Sequence, residues 1–171
     1  MYHMNKKQEA NAFVKECITK ALFQMMKTQS FESISITDLT KKAGVGRVSF
    51  YRNFESKEDI ISQYLTKITK EGNEEFETEP SQKLIESLFT HFKKHKDIFI
   101  LIYKADLWHL SLEGLKKACG PKPEQANHMA YRNAFIAYGL YGWVEEWFKR
   151  GMEETPKEMQ ALVEKGNYNH E

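Results

Sequence analysis

The chain has little cysteine and no long apolar run. Among its 171 residues are two cysteines, Cys17 and Cys119, which stand far apart without a CxxC spacing and so give no disulfide framework. No apolar stretch approaches the roughly 18 residues that a membrane span requires, and the polar, basic segment 1–7 is not followed by the apolar stretch of a secretory signal. We therefore expect a cytoplasmic protein that does not enter a membrane.

Signs of catalysis and of cofactor binding are also missing. The sequence has no Gly-rich phosphate loop, no nucleophile-elbow pattern and no paired-carboxylate arrangement. His91 and His95 share a helix face by i, i+4 spacing and could hold a metal, but "HFKKH" lacks the glutamate of a metalloprotease and has lysines between the histidines. We expect no enzymatic activity, no cofactor and no metal, with the histidines solvated or partly packed.

The formal net charge of +1 conceals two halves of opposite sign. Residues 1–70 hold 12 Lys or Arg against 7 Asp or Glu, whereas residues 71–171 hold 13 against 17. A basic segment joined to an acidic one suggests that the basic part meets a polyanion such as nucleic acid.

Helical periodicity dominates the chain. Apolar residues recur at three- and four-residue spacing along a long first helix, at Ala10, Phe13, Val14, Cys17, Ile18, Ala21, Leu22 and Met25. Helix starts are marked by Ser or Thr followed three residues later by an acid, and helix ends by glycine. The starts are Ser35, Ser56 and Thr155, and the ends are Gly44, Gly151 and Gly166. These signals predict an all-α protein of about nine helices.

The acidic stretch "EGNEEFETE", residues 71–79, is followed by Pro80 and predicts the end of a connecting helix. We place a domain boundary here, between residues 1–70 and 71–171.

The segment "TKKAGVGRVSFYRNF", residues 40–54, is punctuated by two glycines. Gly44 can take the left-handed conformation that turns the chain sharply, and Gly46 can cap a second short helix. In that helix Phe50 and Phe54 share the inner face by i, i+4 spacing, which leaves Val48 and Arg52 outside. Two short helices joined by such a turn, the second of them cationic outside, are what a helix-turn-helix needs to enter a major groove.

Lys57 stands just after the cap residue Ser56, at a helix start. The helix dipole disfavours a cation there by a few tenths of a kcal/mol to about 1 kcal/mol. A nearby phosphate would make a cation favourable at this helix start, so the position of Lys57 predicts a contact with a nucleic-acid backbone.

Residues 35–60, "SITDLTKKAGVGRVSFYRNFESKEDI", resemble the DNA-binding signature of the TetR family of bacterial transcriptional regulators. The resemblance covers about residues 13–65 and is loose beyond them. It implies an all-α homodimer with a three-helix head, to which the connecting helix adds a fourth, and a helical body that binds ligand and dimerises. The sequence departs from the family at Gly46, where Ser or Thr is commoner, at Ser30, where a glycine usually ends the first helix, and at Thr40, usually Ala.

The family's DNA contacts carry over position by position. The resemblance implies base reading by Arg47, Val48 and Ser49, backbone contacts by Tyr51, Asn53 and Lys57, and a contact by Thr37 near the start of the second helix. Arg52, on the outer face of the same helix as Arg47, joins this set. Alternatively, these residues are solvated surface charges and packing groups with no shared role.

In the second half, residues 124–150 can form one helix of about 40 Å. Small residues beside large aromatics on it favour a seam between two copies, formed with the helix that starts at Thr155. The predicted interface residues are Ala130, Ala134, Tyr141, Trp147, Met159 and Leu162. Alternatively these side chains form the core of a single chain.

The stretch "FILIYKADLWHLSLEGL", residues 99–115, is apolar enough to line a cavity. With part of the long helix it gives the ligand candidates Phe99, Tyr103, Trp108, Phe135 and Tyr138, which favour an apolar or aromatic small molecule. Aromatics at helical spacing also form ordinary core.

Two functions follow. The first is a ligand-responsive regulator, repression being the family's common mode, that binds a pseudo-palindromic operator in double-stranded DNA as a homodimer and is released by a small molecule. The second is a co-regulator of the same fold whose body binds another protein and which has no small-molecule inducer of its own.

Overall fold

The computed structural model describes residues 6–78 and 84–166, which form nine α-helices, one 3-10 turn and no strand. The prediction of an all-α protein of about nine helices is confirmed, and no helix of the described part is long and apolar enough to cross a membrane. The helices are α1 (Lys6–Met26), α2 (Ile36–Ala43), α3 (Arg47–Asn53), α4 (Lys57–Thr78), α5 (Leu84–Lys94), α6 (Lys96–Lys104), α7 (Ser111–Cys119), α8 (Asn127–Lys149) and α9 (Pro156–Gly166), with the 3-10 turn Trp108–Leu110 before α7.

The chain separates into two compact units, and the division lies between Tyr64 and Leu65, within α4. The domain boundary between residues 70 and 71 stays a prediction, and residues 79–83, which include Pro80, lie outside the described part of the chain.

The first unit has an aliphatic and aromatic core. Helix α1 packs against α2 and α3, and Tyr64 of α4 meets Phe23 of α1 edge to face at 4.8 Å between ring centroids. Each large apolar side chain that is fully buried stabilises the fold by about 1.5–3 kcal/mol. Those with no exposed surface include Ile18, Leu22, Leu39, Phe50, Ile60 and Ile61.

Local signals set the turn between α2 and α3. The Ser35 hydroxyl accepts a hydrogen bond from the Asp38 amide at 3.0 Å and caps α2, as predicted. Gly44 ends α2 with a φ of 67°, and the Val45 amide donates to the Thr40 carbonyl at 3.0 Å. This is the Schellman arrangement, in which glycine takes the left-handed conformation without steric cost. Gly46 then caps α3 with extended backbone and no side-chain bond.

The predicted long first helix is present, but its apolar face is not buried in the first turns. Phe13 is 67% exposed and Ala10 is also exposed, whereas Ile18 and Leu22 further along are fully buried. The 3.6-residue period identifies a face of the helix, but it does not tell how far along that face the packing extends.

The second unit is built around an aromatic cluster. Trp108 meets Phe148 of α8 edge to face at 4.9 Å, and Phe89 of α5 meets Trp147 in the same way at 5.0 Å. Phe99 of α6 stacks on Phe148 at 5.8 Å. Helix α5 packs against α9 and α7 against α8, so the cluster is formed by side chains from several helices.

Helix α8 begins at Asn127 and ends at Lys149, so the predicted span of 124–150 was too long at both ends. Ala126 is extended and serves as the N-cap, and a turn precedes it, in which the Gln125 amide donates to the Lys122 carbonyl at 3.1 Å. Prolines at 121 and 123 favour that turn over helix.

The predicted start of α9 is confirmed. The Thr155 amide donates to Glu158 Oε2 at 2.7 Å, and the Glu158 amide donates to Thr155 Oγ1 at 3.3 Å, which together make a capping box. The Thr155 hydrogen bonds hold the pKa of the Glu158 carboxyl below its ordinary value of 4.5.

Candidate nucleic-acid interface

The outer face of α3 is cationic and exposed. Arg47 and Arg52 are exposed, Val48 is 65% exposed and Tyr51 is 54% exposed, whereas Phe50 on the opposite face is fully buried. An isolated helix of seven residues is not stable in water, so α3 depends on the packing of its buried face for both its structure and its position. The arrangement presents two guanidinium groups, one methyl-bearing side chain and one phenol on a fixed support.

Tyr51 is held against the core that supports it. Its ring meets the Phe50 ring edge to face at 5.2 Å between centroids. Contacts of this kind contribute about 0.5–1.5 kcal/mol beyond burial of area. The phenol is therefore oriented while more than half of the side chain faces solvent.

Of the other predicted DNA-contacting residues of the head, two are less open and one is exposed. Ser49 and Asn53 are half-buried, and Asn53 Nδ2 donates to the Ser49 carbonyl at 2.8 Å, one turn earlier in α3. Thr37 is exposed in the first turn of α2. The structure thus brings Arg47, Val48 and Tyr51 together on one surface and ties Asn53 to its own helix.

Lys57 has partners within the head. Its ammonium donates to the Phe31 carbonyl at 2.7 Å and to the Glu32 carbonyl at 3.4 Å. It also lies 4.6 Å from the centroid of the Phe31 ring, a cation–π distance. These contacts explain a cation at the dipole-disfavoured first position of α4 without a phosphate, because the loop after α1 supplies the negative potential.

Two exposed cations near this surface were not singled out from the sequence. Lys41 and Lys42 occupy the last turn of α2, next to the turn that leads into α3. Cations at a helix C-terminus interact favourably with the dipole, so their spacing carries no signal beyond that of an ordinary helix end.

The five predicted ligand residues do not form one group. Phe99 and Trp108 are buried and their rings lie 6.0 Å apart, and the half-buried Tyr103 approaches the same cluster through Phe148. Phe135 and Tyr138 are 78% and 53% exposed on α8.

The predicted dimer residues are also divided. Trp147 and Met159 are buried in their own chain, and Tyr141 stacks on Trp108 at 5.7 Å, so these three side chains serve the intramolecular core. Ala130 and Ala134 are half-buried, and Leu162 of α9 is exposed.

A different face of α8 is open. Tyr131, Phe135 and Tyr138 follow one another at i, i+4 and i+7 and are all exposed. Gly142 continues this stripe, and a Cβ placed on it would meet no atom within 4 Å. We call these four residues the α8 stripe. It leaves a broad apolar surface uncovered in the single chain.

No group of three or more His, Cys, Asp or Glu in the described ranges could hold a metal ion. His91 is buried, and its ring lies 5.0 Å from that of His95 between centroids.

Comparisons with known proteins agree with this geometry. The model for bacterial regulatory proteins of the TetR family matches residues 18–64, which contain α2 and α3. A model described as a transcriptional regulator C-terminal region matches residues 79–165. A curated relative from Bacillus subtilis strain 168, an uncharacterized HTH-type transcriptional regulator called YvdT, is 32% identical over 98 residues. That alignment spans 52% of this chain and 50% of the relative, so the chain matches about half the length of that protein.

Proposed function

The chain belongs to the TetR family of bacterial DNA-binding transcription regulators, and from that premise we propose that it represses transcription as a homodimer on a pseudo-palindromic operator until a small molecule releases it. It acts in the cytoplasm by binding alone, without catalysis or cofactor. The observation that carries the proposal is the exposed cationic face of α3 above the buried Phe50.

Each exposed residue of α3 has a role that follows from its chemistry. Arg47 at the helix N-terminus forks onto guanine O6 and N7, and Val48 packs on a thymine methyl group. Tyr51 and Arg52 donate to phosphates and set the position of the helix in the groove. Lys57 contributes by holding the loop after α1, since its ammonium already has two carbonyl partners there.

The α8 stripe supports the homodimer. In an isologous contact the same stripe residues are buried on both copies, and full burial of an aromatic side chain contributes about 1.5–3 kcal/mol per copy. Gly142 lets the backbone of the second copy approach, because there is open space where a Cβ would be. In the seam that we propose, Phe135 and Tyr138 are the main contacts and Leu162 is kept. Tyr141, Trp147 and Met159 are left out of it, because they serve the core of their own chain.

The aromatic cluster supports an apolar or aromatic ligand. Trp108 and Trp147 are buried there, and no hydrogen-bond acceptor among the described residues meets their indole N–H groups. A flat molecule whose acceptors meet these two N–H groups would suit the chemistry of the cluster. Successive major grooves lie about 34 Å apart. To release the operator, the ligand must favour a dimer whose heads no longer have that spacing.

The α8 stripe also favours the second function, because an uncovered apolar face is what a co-regulator needs to bind a different protein. In that case the purified chain would be a monomer and would bind operator only together with its partner.

One experiment separates the two functions. Purified protein selects duplexes from a random-sequence pool, and its affinity for the selected and for random duplexes is then measured across salt concentrations. We expect a selected sequence with two related half-sites and a stoichiometry of two chains. A pool that shows no enrichment, or a single chain on a single half-site, would contradict repression by a homodimer.

A further inference from the structure

The C-terminal end of α3 is held by a side chain of another helix. The last four carbonyls of any helix lack partners within that helix, and in a seven-residue helix they are more than half of all its carbonyls. Here the Asn53 carbonyl accepts a hydrogen bond from Gln63 Nε2 of α4 at 3.1 Å. This bond joins the far end of the DNA-reading helix to α4.

Both N–H groups and the oxygen of the Gln63 amide have partners. Its oxygen accepts from Lys15 Nζ of α1 at 2.8 Å, and its nitrogen donates a second hydrogen bond to Asp59 Oδ2 at 3.0 Å. A cation on one side and a carboxylate on the other leave one favourable orientation of the amide, with oxygen toward Lys15 and nitrogen toward Asp59. That orientation directs an N–H at the Asn53 carbonyl.

The neighbours reinforce this geometry. Asp59 Oδ2 also accepts from the Glu55 amide at 3.0 Å, which fixes the chain between α3 and α4. Lys15 Nζ lies 5.8 Å from the centroid of the Phe54 ring, beside the residue that caps α3. A cation near a helix C-terminus is also favoured by the dipole. Side chains from α1 and α4 thus meet at one end of α3.

We propose that Gln63 is a positioning residue for operator recognition. It does not touch DNA; its amide, aligned by Lys15 and Asp59, sets the angle at which α3 presents Arg47 to the bases. The proposal rests on the proposed function, in which α3 reads the major groove. Base contacts need an accurate helix position, whereas contacts with phosphate tolerate small shifts, so loss of the amide lowers sequence preference more than general DNA affinity.

The test uses the full chain and the duplex that the wild-type protein selects from a random pool. Gln63→Met keeps the length of the side chain and removes its three hydrogen bonds. We expect affinity for the selected duplex to fall by about tenfold, while affinity for random duplex changes by less than about twofold. The matched control is Gln24→Met at an exposed position of α1, which should leave both affinities unchanged.

An exchange variant provides the rescue. In Lys15→Gln with Gln63→Lys, the new ammonium at position 63 can donate to the Asn53 carbonyl, to Asp59 and to the amide oxygen at position 15, and the net charge is conserved. We expect it to regain most of the lost preference. If Gln63→Met lowers helicity by circular dichroism, Lys15→Met replaces it, because it removes the cation that orients the Gln63 amide and leaves both amide donors in place; the ratio of the affinities for selected and random duplex is then the readout.

The outcomes are distinct. Binding of the selected duplex within twofold of wild type, or equal losses on selected and random duplexes, would overturn the positioning role while leaving the proposed function intact. Failure of the wild-type protein itself to enrich any sequence would instead contradict the proposed function.

Discussion

Replacing Lys57 by methionine measures how strongly this side chain stabilises the head. Methionine keeps most of the apolar stem and removes the ammonium that donates to the Phe31 and Glu32 carbonyls. A hydrogen bond from a charged donor contributes about 1.5–3 kcal/mol, and removal of a cation from a helix N-terminus returns about 0.3–1 kcal/mol. Since the side chain is half-buried, we expect a net loss of about 1–2 kcal/mol in the free energy of unfolding of the first unit.

Hydrogen exchange followed by mass spectrometry on the full chain can assign that loss to one unit. The slowest amides of α1 should exchange faster by a factor of about 5–30, and the amides of residues 84–166 should be unchanged. Lys67→Met, an exposed position on the same helix, serves as the control and should change exchange little. Equal exchange rates in Lys57→Met and wild type would refute the structural role of the ammonium. The contact with a phosphate that the sequence predicts for Lys57 would then be favoured.

Three other outcomes are expected. Arg47→Ala should weaken binding of the selected duplex by about 5- to 150-fold in titrations and relax its sequence preference, and an equal loss on random duplex would contradict base reading. Phe135→Glu should raise the dimer dissociation constant at least about 100-fold in sedimentation. The control Lys104→Glu, at an exposed position at the end of α6, should leave this constant unchanged. A dimer unaffected by Phe135→Glu would exclude the α8 stripe as the seam. Because the pKa of folded Glu158 is lowered, its carboxylate stabilises α9 above pH 4.5 and loses that effect as the pH falls further. The difference in Tm between wild type and Glu158→Gln should therefore shrink below pH 4.5. A difference that stays constant with pH would argue against the capping box as its cause.

Signals that act within a few residues could be predicted from the sequence. The cap at Ser35, the left-handed Gly44 and the capping box at Thr155 each involve atoms at most five residues apart, and the structure has all three. The inward position of Phe50 also followed from spacing, because one short helix can bury one face.

Contacts between distant parts of the chain could not be predicted in this way. Lys57 finds its carbonyl partners 26 and 25 residues earlier in the sequence, in a loop that no periodic pattern marks. Helix α8 has aromatic residues on all sides, so its sequence did not tell that Trp147 faces inward and Phe135 outward. That distinction depends on which helices pack against α8, and so it needs the tertiary structure.

All three tryptophans, Trp108, Trp143 and Trp147, lie beyond the division at Tyr64, and two of them are buried in the aromatic cluster. Emission excited at wavelengths selective for indole therefore reports on the second unit and is silent about the first. A melting curve recorded in this way could look native while the head had already lost its structure. Conversely, quenching of that emission by an added compound would give a direct optical titration of the second unit, without DNA in the cuvette.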